Sequence, residues 1–150
     1  MGAVGVRGCW LRGAVFEGWE GCAVLHHVEV WVPDLGRAVR SWGWLLEELG
    51  WEVYQEWAVG RSWRFERTYI VFEQSPGLTG EKHERCRPGV NHLALWVDGR
   101  ERVEAIVAEA GAHGWVLMFP ERHPYAGGAG HYAAYLEDAD GFEVELVSGR

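Results

Sequence analysis

Apolar and polar residues alternate along two short stretches of this chain, and the two stretches are nearly the same. His27-Val-Glu-Val-Trp-Val32 and His92-Leu-Ala-Leu-Trp-Val97 each open on a histidine, place a tryptophan four positions on and close on a valine. A period of two is the mark of a strand with unlike faces. It puts His27, Glu29 and Trp31 on one face and Val28, Val30 and Val32 on the other. His92, Ala94 and Trp96 are divided from Leu93, Leu95 and Val97 in the same way. The wholly apolar face is expected to pack on helices. Each histidine, with its tryptophan, then points into whatever the two repeats enclose.

The first strand is predicted over 23–32. Asp34 is placed to cap a helix, and Leu35, Ala38, Val39, Trp42, Leu45, Leu46 and Leu49 recur at spacings of three and four, which is one helix face. Gly50 is the expected left-handed stop. Strands follow over 51–57, 62–66 and 68–73, with Gly60 opening a turn, and residues 74–89 form a connector rich in Gly and Pro. The second half repeats the order: a strand over 92–97, then a helix face of Val103, Ile106, Val107 and Ala110 that Gly111 ends. Strands over 115–119, 131–136 and 142–147 come next, with a glycine-rich loop over 123–130 and a turn over 138–141. Strand, helix and three strands, used twice, predict an α+β fold of two βαβββ modules related by a pseudo-twofold. The modules span about 23–75 and 90–148 of a single domain, 23–150, and residues 1–22 form a glycine-rich N-terminal arm.

Composition narrows the function. A formal net charge of -8 argues against a nucleic-acid surface and an anionic membrane, and suits a cationic ligand or a metal. No apolar run approaches the roughly 20 residues of a membrane span. Cys9, Cys22 and Cys86 are scattered, form no zinc spacing and fit a reducing cytoplasm. Ten tryptophans are unusual for this length; most are expected in the core, and some to line a cavity.

The chemistry is expected on the histidine faces. In the last strand Glu143 and Glu145 oppose Phe142, Val144 and Leu146. Laying Ile70-Val-Phe-Glu73 on Phe142-Glu-Val-Glu145 matches Glu73 to Glu145, so that His27, Glu73, His92 and Glu145 could converge about a pseudo-twofold. Two imidazoles and one or two carboxylates suit Fe(II), Mn(II), Ni(II), Co(II) or Zn(II). A one-residue slip of the strand would put Phe72 in the place of Glu73. Glu73 or Glu145 could serve as general base. His26 has the opposite parity and is expected away from the ion. Trp31 and Trp96 are candidate cavity walls. Tyr125 and His131, with His123, are candidate substrate contacts beside a loop, 126–130, read as a flexible cover.

The pattern resembles the vicinal oxygen chelate superfamily, which includes glyoxalase I, extradiol dioxygenases and the fosfomycin- and bleomycin-resistance proteins. The resemblance rests on Leu25-His-His-Val-Glu-Val-Trp-Val-Pro-Asp-Leu35, Gly89-Val-Asn-His-Leu-Ala-Leu-Trp-Val-Asp98 and Asp138-Ala-Asp-Gly-Phe-Glu-Val-Glu-Leu146. It implies a curved mixed sheet around a metal-containing cavity, with His27, His92 and Glu145 as ligands and Glu73 near a fourth ligand position. The activity implied is that of a metal-dependent lyase, isomerase or dioxygenase, and the alternative is an antibiotic-sequestering protein of the bleomycin-resistance type. The resemblance and the exposed strand edges also imply a homodimer. Trp31 stands where glyoxalase I has a glutathione-binding Arg, and Gly77 replaces an Asn. Both changes argue against a glutathione hemithioacetal substrate.

Overall fold

The computed structural model describes residues 25–149, so the expected arm, 1–22, lies outside the described residues. β1 (His27–Trp31) leads into a helical stretch of three pieces: α1 (Leu35–Ala38), a π-helical turn (Val39–Gly43) and α2 (Trp44–Glu48). β2 (Glu52–Trp57), β3 (Gly60–Phe65) and β4 (Thr68–Glu73) complete the first module. The second consists of β5 (His92–Val97), α3 (Arg100–Ala110), β6 (Trp115–Leu117), β7 (Ala133–Asp138) and β8 (Glu143–Ser148). The sheets have the orders β1-β4-β3-β2 and β5-β8-β7-β6. In both, the first strand lies at an edge and runs parallel to the last, while the other pairings are antiparallel. This is the α+β arrangement of two βαβββ modules.

Local signals explain the element ends. The Asp34 side chain accepts from the Arg37 backbone N–H and caps α1. Gly50, at φ 81°, stops the helix, and Trp51 N–H bonds back to the Leu46 carbonyl. α3 ends at Gly111 but tightens into a 3₁₀ turn, Gly111–His113, before Gly114 turns left-handed at φ 85°. Gly60 opens no turn; it is the first residue of β3, paired with Trp57 across the hairpin.

The apolar faces meet in one core. Val32, Trp42, Leu45, Leu46, Trp63 and Phe72 of the first module join Val97, Val103, Ile106, Trp115, Leu136 and Leu146 of the second. Trp42 lies at the junction. Its ring meets Phe72 at 5.1 Å and Trp115 at 4.9 Å, and its indole N–H donates to Asp138 Oδ2 at 2.9 Å. Arg37 adds a two-pronged bond to Asp140. The helix of the first module thus packs against the second, and Trp31 and Trp96, on the opposite faces of their sheets, stay 44% and 70% exposed.

Candidate metal and substrate site

The second module builds the tighter half of the site. β5 sets Ala94 beside Glu145, and the β7–β8 hairpin sets Tyr135 opposite Glu145. His92, Tyr135 and Glu145 therefore share the face that strand parity assigns. Glu145 is 7% exposed, so its carboxylate needs partners. Its Oε1 accepts from the Tyr135 hydroxyl at 2.6 Å and from His131 Nε2 at 2.5 Å. Its Oε2 lies 3.1 Å from His92 Nε2. Burial alone would push the Glu145 carboxyl up, but the bonds from Tyr135 and His131 and the charges of His131 and His92 outweigh it and hold the group below the ordinary carboxylate value. Burial, with the bond to Glu145, pushes the Tyr135 phenol up to about 12.

Asn91 orients the His92 ring and selects its tautomer. Its Nδ2 donates to the Arg85 carbonyl at 2.9 Å, so its Oδ1 is what meets His92 Nδ1 at 2.8 Å, and Nδ1 is the donor. A neutral His92 then turns the Nε2 lone pair toward Glu145 Oε2, which is acceptor against acceptor. A cation resolves that contact, either a proton on Nε2 or a metal ion between the two groups.

The first module holds its histidine in a related way. His27 Nδ1 lies 2.9 Å from His26 Nδ1, and the His27 ring stacks on Tyr69 at 4.9 Å and 7°. In both modules the side chain just before the histidine engages Nδ1 and leaves Nε2 to the site. The expectation that parity separates His26 from His27 is corrected here. β1 begins at His27, so alternation does not bind His26, and its ring folds back onto His27 and Tyr69.

The register also corrects the pairing of the two glutamates. Phe72 is fully buried in the core and Glu73 stands beside Trp31, so Glu73 does share the His27 face. However, His27 sits beside Tyr69 and Glu29 beside Val71, whereas His92 sits beside Glu143 and Ala94 beside Glu145. The counterpart of Glu145 is thus Val71, and Glu73 lies two residues further along. A shift of two keeps the face and changes the place.

Among the described residues, no group of three or more His, Cys, Asp or Glu side chains is gathered where it could hold a metal ion. His92 and Glu145 are together; His27 and Glu73 share a face of the other sheet without joining them. The donor types and the freed Nε2 atoms nevertheless fit a divalent transition metal.

A cavity of about 430 Å³ lies between β1 and the start of β5, with Glu29, Trp31, Trp42, Lys82, His92 and Phe142 among its walls. Trp31 lines it, its indole N–H donating to Glu29 at 2.7 Å. Trp96 stands exposed outside it, Tyr125 packs edge-on against Tyr132 at 5.7 Å, and His131 is taken up by Glu145. Asn91 and Tyr135 were missed by sequence reasoning. For Tyr135 a signal existed: counting back across the 138–141 turn places it opposite Glu145.

Residues 26–135 match the model of the glyoxalase/bleomycin resistance protein/dioxygenase superfamily. The chain is 44% identical over 126 residues to the uncharacterised protein YqjT of Bacillus subtilis (strain 168), covering 83% of this chain and 98% of that protein. A solved Bacillus halodurans structure with a provisional glyoxalase assignment superimposes with a TM-score of 0.79 at 40% identity, over 83% of this chain and 95% of that one. The lactoylglutathione lyase of Agrobacterium tumefaciens shares the fold, with a TM-score of 0.60 at 15% identity over 87% of this chain and 96% of its own. Two βαβββ modules, their repeated histidines and these likenesses agree: the chain belongs to the glyoxalase/bleomycin resistance protein/dioxygenase superfamily.

Proposed function

We propose that this protein is a divalent-metal-dependent enzyme whose small substrate offers two neighbouring oxygens, and that it works as a cytoplasmic homodimer. The observation that carries the reading is the repeated histidine arrangement: Nδ1 is engaged by the preceding side chain in each module, and in the second module Nε2 faces Glu145 Oε2. His92 and Glu145 would hold the ion (Fe, Mn, Ni, Co or Zn) together with a His27. β1 and β5 are edge strands, so a second copy set against them would bring the half-site of one chain to that of the other.

When bound, the ion would act as a Lewis acid on a substrate oxygen. The chain does the rest. Glu73, displaced from the counterpart place of Glu145, is better set to take a proton than to be a fourth ligand. Trp31, in the cavity wall, would pack against the substrate. The step is of the lyase, isomerase or dioxygenase kind.

The first test is metal analysis of the purified protein, with melting curves in added Ni(II), Mn(II), Fe(II) and Zn(II). Bound metal or a clear upward shift, lost in His92→Ala, is the expected result. No metal and no shift would sink the enzyme reading. Exposed Trp31, Trp57 and Trp96 favour a second reading, sequestration of a flat aromatic drug. Saturable quenching of tryptophan fluorescence by such a drug, unchanged by chelator, would support it.

A further inference from the structure

The glycine-rich loop before β7 reaches the site through His131. We infer that Gly127, His131 and Tyr135 form a clamp on Glu145 that occupies Oε1 and leaves only Oε2 to bind a metal beside His92. The inference rests on the metal reading above.

A carboxylate oxygen offers two lone pairs in its plane. On Oε1 the Tyr135 hydroxyl at 2.6 Å and His131 Nε2 at 2.5 Å take both. Oε2 receives neither and faces His92 Nε2 at 3.1 Å. The two donors come from different places: Tyr135 from β7, opposite Glu145 in the hairpin, and His131 from the end of the loop. Together they fix both the position and the rotation of the carboxylate.

The loop is shaped for this task. Gly128 and Gly130 have φ of 119° and 84°, and they turn the chain so that His131 N–H bonds back to the Gly128 carbonyl at 3.2 Å. Gly127 serves by its size. A Cβ there would lie 2.6 Å from His131 Cδ2 and 2.6 Å from the Tyr135 hydroxyl oxygen. A larger residue would require the His131 ring, the Tyr135 hydroxyl or the loop itself to move. Neither Gly127 nor Tyr135 would touch the ion, so both are positioning residues.

The test uses Co(II) as the probe, with binding followed by calorimetry and visible absorption. Tyr135→Phe removes one hydroxyl and frees a lone pair of Oε1. Co(II) affinity should fall by about ten- to a hundredfold, the range for losing a group that orients a ligand. The absorption spectrum should change as Glu145 becomes free to use both oxygens, while the melting temperature of the metal-free protein barely moves. Gly127→Ala should act in the same direction. His131→Gln, which keeps an N–H donor, should retain more affinity than His131→Ala. The ring ¹⁵N shifts of His131 in metal-free protein test the clamp without any ion, and Glu145→Gln should move them. Wild-type protein that binds Co(II), with variants of unchanged affinity and spectrum, overturns the clamp alone. Unmoved ¹⁵N shifts also overturn it. Wild-type protein that takes up no Co(II) overturns the metal reading and, with it, the role of the clamp in metal binding.

Discussion

Glu145 is a buried carboxylate that its surroundings prefer charged. Tyr135, His131 and His92 all turn toward it, and they hold its carboxyl below the ordinary value despite burial. Its favourable contribution is therefore full above the ordinary carboxylate value and is lost as pH falls through the lowered one. Glu145→Gln follows from this. In metal-free protein the variant should be modestly less stable than wild type at neutral pH, and the gap should close in acid. Metal affinity should fall by about ten- to a hundredfold or more, because a neutral amide is a poor ligand. Denaturant unfolding across pH, with and without Zn(II), checks both halves. A gap that stays constant into acid would mean that the charge of Glu145 is not what its neighbours recognise. At this scale the sequence was legible where parity alone decides: the His27, His92 and Glu145 faces, and Glu73 rather than Phe72 turned outward. Parity does not say how far along the face a residue sits, so sequence alignment pairs Glu73 with Glu145 although Val71 holds that place. Asn91 escaped notice because its role depends on the Arg85 carbonyl, a contact that no local pattern records.

Among the elements, those fixed by local rules matched the sequence and those fixed by packing did not. β4 and β5 fall where alternation puts them, and Asp34 and Gly50 bound the first helix as capping chemistry requires. The π turn over Val39–Gly43 has no periodic signature. There Gly43 comes so close to the buried Trp63 ring that a Cβ would lie 2.8 Å from it. The connector is likewise tied down by contacts invisible in composition. His83 N–H donates to the Asp140 carbonyl at 2.8 Å, and its ring stacks on Phe142 at 4.7 Å. Gly141 and Gly114 separate backbone strain from this packing. Both have positive φ, 83° and 85°, but a Cβ on Gly141 would meet the His83 carbonyl oxygen at 2.7 Å, while Gly114 has nothing within 4 Å. Gly114→Ala should cost about 1–2 kcal/mol, the penalty of a left-handed alanine. Gly141→Ala should cost clearly more and should raise proteolysis within the connector. Equal losses would mean that the connector yields freely.

The molecule as a whole is joined through Trp42. Periodicity does not show which residues join the modules, because a helix face lists what is buried and not against what. Trp42 reads as one more apolar position at helical spacing, yet its N–H crosses to Asp138 of the other module, beside the bond from Trp115 Nε1 to the Ser41 carbonyl. Asp138 is 7% exposed, and burial raises its carboxyl above the ordinary value even though Phe142, Trp42 and Asp140 all donate to it. Trp42→Phe keeps an aromatic ring in the core and removes the one donor that Oδ2 has from the first module. An acceptor stripped of its partner in a buried place costs about 1–3 kcal/mol. The cost should depend on pH in a definite sense. With that donor gone the Asp138 carboxyl rises further, so the folded state holds a proton more tightly than the unfolded chain does. The deficit of the variant should be largest at neutral pH and should shrink as pH falls through the raised value, where the proton replaces the lost partner's charge compensation. Wild type should show the same tendency more weakly. Unfolding in urea at several pH values, read by the fluorescence of the remaining tryptophans, measures it. A deficit independent of pH would assign the loss to ring packing against Phe72 and Trp115, and the bond between the modules would then count for little.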